Sequence, residues 1–185
     1  MELAEIVSTA SRRPEVGAVV GQVYADLQGE IDARKPICSA SGKCCRFEAY
    51  GHRLYVTTIE LAAFVASLDR SGPTPWDGTG CPYQVKGLCS VHTVRPFGCR
   101  IFFCDPTASQ WQNDQYETFH NRLKAEHERL GVPYRYVEWR AALGELGLSA
   151  LAEGGSSFDS RASQTLHSLP ARLASEGNTP TEADS

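Results

Sequence analysis

All seven cysteines of this chain, Cys38, Cys44, Cys45, Cys81, Cys89, Cys99 and Cys104, lie between positions 38 and 104 of its 185 residues. Cysteines that merely serve as small buried apolar side chains would not gather in this way. The odd number also leaves one thiol over in any complete pairing into disulfides. In a reducing compartment a dense cysteine set reads as metal ligands rather than as a disulfide framework. The start of the chain, MELAEIVSTASRRPEV, lacks the charged beginning and apolar core of a secretory signal, and no apolar run is long enough to span a bilayer. The expectation is a cytoplasmic protein that makes no use of a membrane and holds metal through its thiols.

Composition narrows the partners. A net charge of -4 argues against a general polyanion-binding surface, so no nucleic-acid partner is expected. Apolar residues at 42% and charged residues at 22% are those of a soluble globular chain, long enough for one domain with its own core.

Periodicity organises the chain around the cysteines. From Pro14 to Lys35, Val16, Val19, Val20, Val23, Tyr24, Leu27 and Ile31 recur at three- and four-residue steps, which predicts an amphipathic helix with Pro14 in its first turn. The loop CSASGKCC follows Pro36. RLYVT at 53–57 predicts a short strand, and Thr57 with Glu60 forms a capping box for a helix over 58–69. SGPTPWDGTG at 71–80 reads as a loop by its glycines and prolines. Lys86-Gly87 reads as a turn between two short extended pieces, each bearing a cysteine, and Phe97 to Cys104 as a short helical piece stopped before Pro106. A helix over 113–130 carries Tyr116, Phe119, Leu123 and Leu130 and ends at Gly131. YRYVEW at 134–139 is ambiguous, with a helix through Leu143 and Leu146 after it. Beyond Gly154 the composition is that of a disordered tail. The fold class expected is α+β, mainly α-helical: a small single domain over 1–153 in which helices frame a loop-rich, cysteine-bound metal centre at 38–106.

Local spacing points to metal more firmly than to a particular metal. Only Cys99 and Cys104 stand about as close as the paired cysteines of a zinc knuckle, and the ferredoxin run C-x2-C-x2-C is missing. Seven thiols exceed the four that one zinc or one cluster takes, which leaves two sites or several non-ligand cysteines. Neighbouring side chains diverge, so Cys44 and Cys45 are expected to face different surroundings, one at the main centre and the other at a second metal or free. The small residues of CSASGKCC let backbone N–H groups approach sulfur. Between Cys81 and Cys104 the charged residues are Lys86, Arg95 and Arg100 with no carboxylate, and Lys43 and Arg46 flank the first block, as suits a centre rich in thiolates.

Other residues carry blander alternatives beside their functional ones. His92, three after Cys89, is the best non-cysteine ligand candidate, against the commoner histidine bonded to backbone. His52 stands near the first block. His120 and His127 share a helix face, expected to be partly exposed. Arg95 and Pro96 suit positioning of the last cysteine pair, and Tyr134, Tyr136 and Trp139 suit core packing better than a pocket wall. No Ser/His/Asp order, HExxH or paired-carboxylate motif assigns a catalytic residue.

The combined pattern CxxSGKCC, CPY…GLC, SVHTVRP and CRIFFC, over roughly residues 38–106, resembles the zinc- or iron-chelating cysteine-cluster family named for its CxxCxxCC motif. The resemblance implies that Cys38, Cys44, Cys45, Cys81, Cys89, Cys99 and Cys104 are the cluster cysteines. Ser41 stands where the family motif carries its second cysteine, which lowers the ligand count. Bacterial members are described as iron–sulfur oxidoreductases, which implies an iron–sulfur cluster with a redox or electron-transfer role and a protein redox partner. The alternatives are a structural zinc or mononuclear iron site in a partner-binding module, or a protein-modifying enzyme. A flagellin lysine N-methylase is similar in carrying such a cluster, but no methyl-donor loop accompanies it here.

Overall fold

The structure, a computed structural model, describes residues 1–68 and 74–151. It is mixed α+β and mainly helical, as the periodicity predicts. In chain order the elements are α1 (Leu3–Ser11), α2 (Pro14–Arg34), α3 (Phe47–Tyr50), β1 (Tyr55–Thr57), α4 (Thr58–Ser67), β2 (Thr74–Trp76), β3 (Gln84–Val85), β4 (Leu88–Cys89), α5 (Phe97–Ile101), α6 (Ser109–Leu130), β5 (Tyr136–Glu138), α7 (Trp139–Glu145) and β6 (Ser149–Leu151). The helix expected over 58–69 stops at Ser67, with Leu68 already extended, and residue 69 and the tail expected from 154 lie outside the described residues.

The long helices end where their sequences stop them. Lys35 takes a left-handed φ of 52° at the end of α2, and its N–H returns to the Ile31 carbonyl at 2.7 Å before Pro36. Gly131, with φ 62°, closes α6 in the same way. Four helices, α2, α4, α5 and α6, bury Val20, Leu27, Ile59, Ala62, Phe97, Ile101, Phe119 and Leu123 between them. A second apolar cluster joins α1, α4 and α7 to the cysteine loops through Leu3, Val7, Phe47, Leu61, Phe64, Tyr83, Trp139 and Leu143, with Cys45 and Cys81 among them.

Glu60 does more than cap α4. Its Oε2 accepts the Thr57 N–H and O–H, both at 2.9 Å, while Oε1 accepts the Phe97 N–H at 2.9 Å and the Tyr24 hydroxyl at 3.1 Å. One buried carboxylate thus ties together the starts of α4 and α5 and the middle of α2. Burial pushes its pKa up, and the four donors work against that rise.

Several expectations are corrected. Residues 74–76 are not loop: β2 pairs in parallel with β6, Thr74 opposite Ser149, with Pro75 at the middle of a three-residue strand. The ambiguous YRYVEW splits into β5, antiparallel to β1, and the first turn of α7. The helix expected from 113 begins at Ser109, and α1, which that reading did not place, buries Leu3, Ile6, Val7 and Ala10. Of the two cysteines expected in the hairpin strands, only Cys89 lies in one; Cys81 precedes β3. His127 is not partly exposed. It is buried, with Nδ1–H donating to the Val132 carbonyl at 3.1 Å and Nε2 accepting the Ile59 N–H at 3.4 Å.

Candidate cysteine centre

The two cysteine blocks are joined by backbone at points where only glycine fits. Lys86 and Gly87, both at positive φ, turn β3 into β4. Gln84 reaches from this hairpin to the first block, its Nε2 donating to the Gly42 carbonyl at 3.0 Å. Gly42 has φ 67°, and a Cβ there would collide with the Gly87 carbonyl oxygen. Likewise Gly80 has φ 58°, and a Cβ would stand 2.6 Å from the Cys45 carbonyl oxygen, the same oxygen that accepts the Cys81 N–H at 2.8 Å. Glu48 of α3 accepts the Gly80 N–H at 2.8 Å and is paired with the buried Arg140 of α7.

Cys45, buried, is the hub. Its thiol packs among those of Cys44, Cys81 and Cys89, whose proximity pushes its own pKa up. The same contacts hold the partners low: Cys44 at about 6 and Cys89 at about 7, each chiefly through the Cys45 thiol, with Cys81 lowered for the same reason. Backbone N–H groups of Tyr83 and Val91 add to this at Cys81 and Cys89. The Arg95 charge favours the thiolates of Cys44, Cys89 and Cys99, while burial pushes Cys99 well up.

Cys38 and Cys104 are exposed at the rim. Asp105 brings their segments together: its Oδ2 accepts the Ile37 N–H at 3.1 Å, and its Oδ1 accepts from the N–H and hydroxyl of Thr107. Six cysteines, Cys38, Cys44, Cys45, Cys89, Cys99 and Cys104, line one void of about 130 Å3. Cys81 stands behind it, against Cys45. Cys44 and Cys45 do diverge in exposure, Cys45 inward and Cys44 at the boundary with a second, larger cavity, yet both line the small void.

Of the non-cysteine candidates, His92, Arg95 and Arg100 line the void. Arg100 is held by the carbonyls of Arg95 and Thr93 at 2.9 and 2.6 Å and lies 4.3 Å over the Tyr24 ring. His92 is exposed at the edge of the void, and partial desolvation with the charges of Arg95 and Arg100 pushes it down, towards the neutral ring a metal ligand needs. His52 is partly buried beside the first block, its Nε2 3.3 Å from the Cys44 carbonyl. Trp139 is core, whereas Tyr134 and Tyr136 are exposed, which corrects the core role expected for that pair. Reasoning on the sequence missed Gln84, Glu48 and Asp105. Only Asp105, in the sequence Asp-Pro-Thr, carries a local turn signal that marks it.

Among the described residues no group of three or more His, Cys, Asp or Glu stands as a set that could hold a metal ion. The thiols press on one another or ring a void instead. A cavity takes one water once it offers about 10–15 Å3, so a void of about 130 Å3 is roomier than one bare ion needs. A lining with six cysteines and, among the described residues, no carboxylate suits iron–sulfur chemistry or zinc and disfavours the hard cations. Compared with known proteins, the chain matches no protein-family model, no curated protein and no solved structure.

Proposed function

We propose that this chain holds an iron–sulfur cluster at the thiol-lined void and serves a redox or electron-transfer role with a protein partner, as a member of the cysteine-cluster family it resembles. The observation that carries the reading is the convergence of thiols from four separated segments, 38, 44–45, 89 and 99–104, on one void several atoms wide. Such a group exchanges single electrons when bound. The residues of the chain have definable tasks: Cys44 and Cys89 offer thiolates near neutral pH, Arg95 offsets their charge, and the N–H groups of Tyr83 and Val91 stabilise sulfur. Seven free thiols suit a reducing compartment such as the cytoplasm. No described helix is long and apolar enough to cross a membrane.

One observation favours a second reading. Cys44, Cys81 and Cys89 pack about Cys45, and four thiols is the number a structural zinc takes once they are drawn around the ion; the domain would then act as a partner-binding module. Visible spectroscopy separates the two. A broad absorption that bleaches when dithionite is added to anaerobic protein is the expected result, and a colourless protein with one zinc per chain would overturn the redox reading.

A further inference from the structure

Beside the cysteine void lies a cavity of about 700 Å3, within the range of small-molecule sites. The two spaces share Cys44, Cys99, Phe102 and Phe103 as a common wall. We propose that this cavity binds a flat aromatic compound carrying carbonyl oxygens on its ring, of the flavin or quinone type, next to the cysteine centre. This goes beyond the redox reading and does not need it, since the argument rests on the cavity wall alone.

The wall is built of ring faces. His52 stacks on Phe102 at 5.1 Å and 18°, and Tyr55 on Tyr136 at 5.3 Å and 28°. These pairs come from the α3–β1 segment, the end of α5 and strand β5, so the faces are fixed by tertiary packing. The His52 ring is further oriented by its Nε2–H on the Cys44 carbonyl. Phe102 and Tyr136 each keep 37% of their surface exposed, apolar area that a flat ligand would cover.

The polar groups of the wall ask for acceptors. The Tyr116 and Tyr136 hydroxyls are hydrogen-bonded to each other, which uses one of their two protons and leaves the other to donate. Gln112 spends its Oε1 on the Phe103 N–H at 2.6 Å, so its amide N–H2 remains a donor. Among the described residues no carboxylate lines the cavity. Ring carbonyl oxygens meet these donors, while the ring plane meets the stacked faces. An aliphatic chain or a peptide would answer the second requirement poorly, because it offers no flat face.

The test uses the full chain and two probes that share this chemistry, riboflavin and duroquinone, the latter with every ring carbon substituted so that thiols do not readily add to it. Riboflavin binding is read by fluorescence quenching and duroquinone by equilibrium dialysis. At least one probe should bind saturably at one per chain; which one binds assigns the flavin or the quinone source, and binding of both supports the shared chemistry. Asn113→Trp, which places a bulky ring in the cavity from an exposed position of α6, should weaken binding at least tenfold. Phe102→Ala should do the same by removing a stacking face. Glu117→Trp, on the same helix but outside the cavity, should leave it unchanged. Saturable binding by neither probe, or wild-type binding by both cavity variants, would overturn the proposal. The iron and sulfide content of the chain does not enter this readout, so the failure of one proposal is distinguishable from the failure of the other.

Discussion

At the scale of single residues, burial decides roles that residue type alone leaves open. His127 reads in the sequence as one of two histidines on a helix face. Its neighbours across the fold, the Ile59 N–H and the Val132 carbonyl, fix it as a neutral ring protonated on Nδ1. Those contacts belong to α4 and to the turn after α6, which no local pattern could reveal. Burial lowers its pKa, so the folded chain binds the extra proton less readily than the unfolded chain does. Stability from this group is therefore fully present above the ordinary histidine value of about 6.5 and is lost as pH falls below it. Urea midpoints measured from pH 8 to 5 should fall less steeply for His127→Gln than for the natural chain; equal slopes would remove His127 as the source. The cysteines also separate by burial. Cys45→Ser puts a hydroxyl among thiols in the core and should cost about 1–3 kcal/mol, whereas Cys38→Ser at the exposed rim should cost well under that in the same unfolding experiment.

Among the elements, the long helices were legible because a 3.6-residue apolar stripe is a local signal, and the capping box at Thr57 and Glu60 placed the start of α4 correctly. The short strands were less so. β2 exists because β6 lies beside it 75 residues further on, and three residues of Thr-Pro-Trp carry no alternation to read. The loops around the cysteines depend on glycines whose need appears only when the facing backbone is known. Gly80 is the sharpest case, pressed against the Cys45 carbonyl at a left-handed φ. Gly80→Ala should destabilise the domain by about 2 kcal/mol in chemical denaturation and reduce its metal content, whereas Gly29→Ala, in open space on α2, should not lower stability. Glu60→Ala leaves the Thr57 and Phe97 N–H groups without their acceptor and should cost about 3 kcal/mol, with α5 and its Cys99 the first segment to gain amide exchange.

Over the whole molecule, the fold class could be read in advance from helical periodicity, and the cysteines that cluster in sequence also meet in space, although α3, β1, α4 and β2 lie between the two blocks. Which thiols meet could not. Cys45 joins Cys81 and Cys89 through the turn at Lys86-Gly87 and the Gly80 contact, and Cys38 comes to the rim through Asp105, a residue the spacing ignores. Cys38 and Cys104 stand exposed at the rim, where Asp105 anchors the Cys38 segment through the Ile37 N–H, so a bound group there should add to stability. Anaerobic chelation should lower the thermal midpoint, and a metal-free protein that melts like the native one would contradict that coupling. The central claim, that these thiols hold an iron–sulfur cluster, is tested most directly by iron, zinc and acid-labile sulfide analysis of anaerobically purified protein. The account predicts iron and sulfide in equal amounts, about two to four of each per chain, lost together in Cys45→Ser. Zinc without sulfide, or no metal at all, would contradict it.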